Sequence, residues 1–540
     1  MLGRRNQQRS FFEAQSLPHC VPADSFYGRM GAVSETLFRD EDLAEMYCPD
    51  NGRTSIPPSL MSGVTLLQFF DDVSDQEAVK RTMYDMRWKV ALNLALDFAG
   101  FDPTNLVHFR QRLVKHGQER YAFDRLIAVG RAAGFLPDKV RLLVDTTAVG
   151  GAGAVQDTYT LLRKGVRKLL KVAGFHLPGK RQGLSPESQR LVATYLDQDR
   201  KAEIDWSDAQ QRLNQLQELV TDAEAALELV TPEMDNDEVR LTGWLLTKIL
   251  GDDLEPDEQG RSRLAEGTAE DRIISITEPE MRHGRKSASR RFDGFKTSVA
   301  TEPESELILD ITDMSASDGD GRELLPTIDR VEQQGLTVEQ VLGDGAYPSG
   351  DNLAGCATYP GHPVDLVAPL RRGPDPDVDK TAFEIDLDRS LITCPCGHQA
   401  EGQPAHDRLG RPILKFSFAR PVCAACALFE ACVRSQTTGR TVTTHAQEAY
   451  LQAARQRQET AQFQELYPLR SRVERKIAEL VGHGLRKTRY RGQPKRQLQR
   501  LWTGAGVNLK RLFTLTEAKG IDLVAVLAAF THAPAVTGPA

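Results

Sequence analysis

Long apolar runs are missing from this chain of 540 residues. A helix that spans a bilayer needs ~20 apolar residues. The longest apolar run here, Ile521 to Phe530, is far shorter and contains Asp522. The first twenty residues hold no apolar core of the kind that marks a secretory leader, so a cytoplasmic protein with no membrane partner is expected. Paired histidines are absent too. His108, His283, His398 and His483 stand apart, which argues against a histidine-held metal. The run Gly150 to Gly153 lacks the Lys-Ser/Thr of a phosphate loop and reads as a strand exit. Net positive charge is also lacking: Lys and Arg total 68 against 75 Asp and Glu, a formal charge of -7. The total therefore argues mildly against a nucleic-acid partner, although distribution matters more.

With 40% hydrophobic and 26% charged residues the chain has an ordinary globular composition, and its length suggests two to four domains. Charge is concentrated at one place. From Arg470 to Arg511 there are thirteen Lys or Arg, opposed only by Glu474 and Glu479, a local surplus of +11. Such a surplus is uncommon without an anionic partner, and Arg486, Lys487, Lys495, Arg496 and Arg500 are candidates for phosphate contact. Solvation of a merely soluble surface is the alternative.

Five of the eight cysteines cluster. Cys394, Cys396 and His398 form C-P-C-G-H, and Cys423, Cys426 and Cys432 form C-x2-C-x5-C. In a cytosolic chain this spacing reads as structural zinc before disulfide, with Cys423 and Cys426 the best pair. Cys432 and either Cys394 or Cys396 would complete the set, and plain reduced thiols remain the alternative. Cys20, Cys48 and Cys356 are scattered and are expected as small buried hydrophobes.

The pattern along the chain changes period several times. Residues 1–125 read as a helical domain: Leu60, Val64 and Leu67 recur at helical spacing, Ser74 and Glu77 form a capping box, and Asp102-Pro103 opens another helix. Val140 to Val149 is a buried strand interrupted by Asp145. Residues 155–272 read as a helical insertion with an apolar seam at Leu213, Leu216, Val220, Ala223 and Leu227. Strands follow at 290–302 and 306–317, then a helix, then a strand ending at Asp344. Three strands, a helix and a fourth strand, with carboxylates on the first and fourth, is the order of a ribonuclease H-like fold. The expected class is α/β: a ribonuclease H-like mixed sheet (135–350 and 445–515) with the helical N-terminal domain and the helical insertion. A small zinc-knuckle insertion (354–444) and a C-terminal tail (516–540) complete it.

Phosphodiester chemistry by two divalent ions roughly 3.5–4 Å apart needs hard carboxylates converging from separate elements. Asp145, Asp344 and Glu474 meet that description. Each also has a plainer reading: a backbone-bonded strand Asp, a turn Asp beside Gly345, and a surface ion pair.

The ordered set of segments resembles a known family. VDTTAV, GDGAYPSG, YPLRSRVERKIAELVGHGLRKTRYRG, MRHGRKSASRRFDGFK and FDPTNLVHFRQRL are similar to the DDE transposases of bacterial insertion sequences. The likeness is to the group with a helical N-terminal domain and a Tyr-x2-Arg-x3-Glu-x6-Lys motif, and it runs over roughly residues 25 to 515. The resemblance implies that Asp145, Asp344 and Glu474 are catalytic ligands of Mg²⁺ (or Mn²⁺), with Tyr467 and Arg470 as the motif's Tyr and Arg. It implies double-stranded DNA as partner (terminal inverted repeats and target), a homodimer on that DNA, and a nucleoid-associated location. The Lys expected seven residues after Glu474 is Val481. A catalytically decayed DNA-binding descendant, or a structure-specific ribonuclease H-like nuclease, are the competing functions.

Overall fold

The computed structural model describes residues 1–4, 17–48, 50–198, 203–286, 289–371, 373, 375, 377–435 and 437–530. The last ten residues of the expected tail, and residues 5–16 of the expected N-terminal domain, lie outside them.

A mixed sheet forms the centre. Strand β1 (Lys139–Gly150) lies between β2 (Arg291–Thr301), antiparallel to it, and β4 (Thr337–Leu342), parallel to it. Beyond β2 lies β3 (Ile308–Ser315), antiparallel; beyond β4 lies β5 (Asp365–Val367), parallel. The order across the sheet is thus β3-β2-β1-β4-β5, with a short strand Arg282–Arg285 pairing the start of β2. Val140, Leu142, Leu143 and Val144 are all buried. A central strand covered on both faces shows a continuous apolar run instead of alternation, which is why no period of two marks β1.

Helices α1 (Phe26–Leu37), α2 (Pro58–Phe70) and α3 (Tyr121–Ala132) belong to the N-terminal region. Every residue of α2 is buried, the polar Ser59, Ser62, Thr65 and Gln68 included, so the helix sits inside a core. It packs against α9 (Gln493–Lys519), which also packs on α3 and β3. At 27 residues, α9 is about 40 Å long. One continuous core therefore contains the N-terminal helices, the sheet and α9.

Two further lobes have cores of their own. Helices α4 (Thr158–Val172), α5 (Ala209–Leu229) and α6 (Asp237–Asp253) pack through Leu162, Leu169, Leu216, Val220, Ala223 and Leu246. Helix does not continue to 272, as the sequence suggests. Leu254–Pro256 and Ser262–Leu264 form a hairpin, turned by Asp257, whose carboxylate accepts the N–H groups of Gln259 and Arg261, and by Gly260 at φ +74°.

The second lobe is a five-stranded antiparallel sheet of Glu384–Asp386, Leu391–Thr393, Gln399–His406, Pro412–Ser417 and Thr441–Thr443. Its buried core is five residues: Phe383, Ile392, Phe416, Phe418 and Val442. The segment 354–444 is not wholly insertion, because its early part supplies β5 to the central sheet. The chain returns through α7 (Glu448–Gln458) and a 3-10 turn, Tyr467–Arg470, into α8 (Ser471–Leu480), which lies against β1 and β2.

Candidate active site

Two carboxylates sit side by side because of register. Leu143 of β1 is opposite Leu342 of β4 in a parallel pair; Asp145, midway along β1, and Asp344, just past the end of β4, each follow two residues later. Asp145 accepts the N–H of Thr146 at 2.7 Å. Asp344 accepts the N–H of Ala346 at 2.8 Å, so it does hold a turn as well.

The third carboxylate comes from α8. Val473 and Leu480 are buried and fix the helix on the sheet, while Glu474 is 55% exposed. One turn earlier, Arg470 reaches both partners. Its Nη1 is 3.2 Å from Asp145 Oδ2 and its Nη2 is 2.5 Å from Glu474 Oε1. A single guanidinium thus bridges strand and helix.

The electrostatics are those of a site short of positive charge. Burial pushes the Asp145 carboxyl up to about 6, against the Thr146 N–H and Arg470, while Asp344 and Glu474 push it the same way as burial. Tyr347, three residues after Asp344, is 1% exposed, and its hydroxyl has no hydrogen-bond partner among the described residues. Burial raises its phenol well above the ordinary range, and the charges of Asp145, Asp320 and Asp344 add to that. Sequence reasoning missed Tyr347; an aromatic three residues beyond a strand-end Asp was the available signal. Among the described residues no three His, Cys, Asp or Glu side chains stand in an arrangement that holds a metal ion. At the carboxylates, Arg470 supplies the cation between Asp145 and Glu474. The donor set itself, carboxylate oxygens beside an orphaned hydroxyl, fits a hard divalent ion.

The basic segment divides sharply. Nine of its thirteen cations are ion-paired: Arg470, Arg472, Arg475, Lys476, Arg489, Arg496, Arg500, Lys510 and Arg511. Most partners come from far along the chain, so the local surplus of +11 is largely neutralised in space. The expectation that Arg496 and Arg500 contact DNA phosphates is corrected. They are 2% and 1% exposed and bind Asp313, with Arg496 also reaching Glu278 and Glu280. Arg486, Lys487, Arg491 and Lys495 are exposed, with no ion pair among the described residues. The loop that carries the first three, with Lys495 following in the first turn of α9, is stitched to the end of β1: Gly150 N–H donates to Arg486 O, and Thr488 N–H donates to Gly150 O, both at 2.9 Å. Arg486 Nη1 also donates to Thr147 Oγ1 at 3.3 Å and Ala148 O at 3.2 Å. Tyr467 stacks on Phe463 with ring centroids 5.5 Å apart. Val481 is half-buried where α8 ends.

All five clustered cysteines line one cavity together with His398. Of the scattered three, Cys356 is buried as expected, whereas Cys20 and Cys48 are exposed. Among the described residues no helix is long and apolar enough to cross a membrane.

Two family models match the chain. Residues 393–513 match a "Transposase DDE domain", and residues 15–112 match a "Transposase domain (DUF772)". The first match includes Arg470, Glu474 and the five cysteines; Asp145 and Asp344 lie outside both. No curated protein and no solved structure matches the chain.

Proposed function

We propose that this chain, an insertion-sequence DDE transposase by its two family matches, cuts and joins DNA with Asp145, Asp344 and Glu474 as one metal-dependent site. The observation that carries the reading is positional: Asp145 midway along β1 and Asp344 just past the end of β4 lie at matching register on adjacent parallel strands, and Glu474 faces them from a helix packed on the same sheet. The strand order, with its first three strands antiparallel and the fourth and fifth parallel to the first, is the order expected of a ribonuclease H-like fold.

Bound Mg²⁺ (or Mn²⁺) would stabilise charge on the attacking and leaving oxygens of an in-line phosphoryl transfer. Asp145 and Asp344 would hold it from the rigid strands, and Glu474 would close the site from α8. Arg470 then gives up its carboxylates, and its fork is free for a non-bridging phosphate oxygen. The loop carrying Arg486, Lys487 and Arg491, anchored on the end of β1, and Lys495 in the first turn of α9 track the flanking backbone of double-stranded DNA. Water serves as nucleophile for cleavage at the element ends. The freed 3′-hydroxyl serves for transfer to target, with a homodimer pairing the two ends. The N-terminal helices are the proposed readers of the terminal inverted repeats, and the location follows the DNA, at the nucleoid.

A second reading, a decayed DNA-binding descendant, is favoured by one feature: Val481 stands where relatives carry a phosphate-binding Lys. One experiment separates them. Purified protein is incubated with Mg²⁺ and labelled DNA bearing the element's own genomic flanking ends. Cleavage at the ends together with joined products is expected. Binding without cleavage would leave the decayed reading, and cleavage without joining would leave the nuclease.

A further inference from the structure

The cysteine lobe has a core too small for its size. Seven buried apolar side chains, the five of its core with Val378 and Val433, serve a five-stranded sheet and two short helices, Arg420–Ala424 and Phe429–Cys432. Small units with so little apolar burial ordinarily need a metal or covalent staple. The same lobe brings five thiols from three separate turns to one cavity of about 30 Å³, room enough for an occupant the size of an ion or a water.

Local backbone geometry presents these thiols. Between two strands, Cys394 N–H donates to His398 O and Gly397 N–H donates to Cys394 O, both at 2.8 Å, with Gly397 at φ +82°. This tight turn carries Cys394 and Cys396. Cys423 and Cys426 share one helical turn, Cys426 N–H donating to Cys423 O at 3.0 Å, and Cys432 ends the next short helix. Burial raises the Cys432 thiol against the neighbouring Arg440 guanidinium, and Cys423, Cys426 and Cys394 push it the same way as burial.

Two polar groups of Arg440 border the sulfurs. The backbone N–H of Arg440 donates to Cys423 Sγ at 3.5 Å. Arg440's guanidinium is held beside the cavity by the carbonyls of Cys432 (3.0 Å) and Val378 (3.2 Å), and its Nε has no partner among the described residues. Cys396 differs from the other four. It is exposed, and its Sγ touches Cys426 Sγ at 3.1 Å from the rim. Cys394, Cys423 and Cys432 instead pack against the small core.

We propose that this lobe is held together by one structural Zn²⁺ on Cys394, Cys423, Cys426 and Cys432, with Cys396 left outside the ligand set. Four thiolates suit a closed tetrahedral zinc site, and the soft donors select against the hard ion assigned to the carboxylates. The sulfurs do not stand at ligand geometry as placed. Binding therefore requires turning cysteine side chains between staggered rotamers, a small adjustment at half-buried positions. Zinc bound this way contributes directly to the lobe's folding free energy.

The test is elemental analysis of the full-length protein purified without chelator, a readout that needs neither DNA nor Mg²⁺ and is therefore independent of the cleavage reading. One zinc per chain is expected, retained in Cys396→Ser and lost in Cys423→Ser and Cys432→Ser. If the ligand variants fail to fold, Co²⁺ added to chelator-treated wild type supplies the second measurement. Thiolate-to-cobalt charge-transfer bands of a four-sulfur tetrahedral site are expected. Zinc well below one per chain with all five thiols freely alkylated would overturn the proposal, as would a Cys396–Cys426 disulfide in the purified protein. Zinc loss in Cys396→Ser as complete as in Cys423→Ser would overturn the assignment of ligands.

Discussion

Two arginine–carboxylate clusters lie on the same sheet, and both draw their arginines from the C-terminal part of the chain. In the first, Arg470 joins Asp145 to Glu474, with side-chain exposures of 18%, 19% and 55%. In the second, Arg496 and Arg500 enclose Asp313 of β3 at 2.9 and 2.5 Å, all at 3% exposure or less. Arg496 also lies 3.7 Å from the centre of the Phe295 ring, and Arg500 donates to Thr297 Oγ1 at 2.7 Å. Burial pushes Asp313 up and brings Arg500 down to about 10. The residue types are the same and the situations opposite. The second cluster is closed, with no surface on which a ligand could land. The first is open on one side, carries a carboxyl displaced to about 6 and borders an orphaned tyrosine hydroxyl. A closed cluster serves the fold; an open one with uncompensated charge is available for chemistry.

That contrast is sharpened most by breaking each cluster in turn. Asp313→Ala leaves the buried Arg500 guanidinium without an ion-pair partner among the described residues and Arg496 with only Glu278 and Glu280, and is expected to cost about 3–5 kcal/mol. Arg470→Ala is expected to cost under about 1 kcal/mol, since its Glu474 partner is largely solvated. Denaturant unfolding of both variants decides the point, and equal losses would erase the distinction.

A slightly smaller effect concerns Asp145 itself. Its carboxyl is raised from 3.8 to about 6 in the fold. Ionising it there opposes folding, with no cost below pH ~4 and the full cost above pH ~6. Asp145→Asn should therefore stabilise chelator-treated protein by up to about 3 kcal/mol near pH 7.5. The gain should vanish as the pH is lowered to about 4. A gain independent of pH, or a loss at pH 7.5, would show that the Asp145 charge is not what strains the site.

The basic loop gives the smallest effect. Replacing Arg486, Lys487, Arg491 and Lys495 by Gln should flatten the slope of log affinity against log salt by up to about four, roughly one per lost phosphate contact. Melting temperature should change little. Arg496→Gln should show the reverse, a loss of stability with the slope nearly kept. A quadruple variant with unchanged slope would move the DNA path elsewhere.

Much of this was legible in the sequence. The strands at 139–150, 291–301, 308–315 and 337–342 were foreshadowed by apolar, β-branched runs, and Asp145 stood out as a charge inside one of them. Half of the capping box formed: Ser74 Oγ accepts the Glu77 N–H at 3.2 Å, while the Glu77 carboxylate accepts from Arg81 Nε at 3.3 Å. What escaped depended on distance along the chain. Arg496 pairs with Asp313, 183 residues earlier, and Arg489 with Asp72, 417 residues earlier. A local charge count cannot include such partners, so a neutralised segment looked like a cationic one. The three residues of β5 lay within a stretch that otherwise reads as insertion, too short to show a period. The shared core of N-terminal helices and sheet was hidden for a similar reason: α2 is buried on every side, its Ser59, Ser62, Thr65 and Gln68 included, and the sequence does not reveal what covers it.

The most direct measurement is metal-dependent cleavage of the element's own ends by Asp145→Asn, Asp344→Asn and Glu474→Gln, each assayed alongside DNA binding. All three are expected to lose cleavage with Mg²⁺ and with Mn²⁺, while binding the same DNA within a few-fold of wild type. Retained turnover in any one of the three would contradict a single site built from these carboxylates.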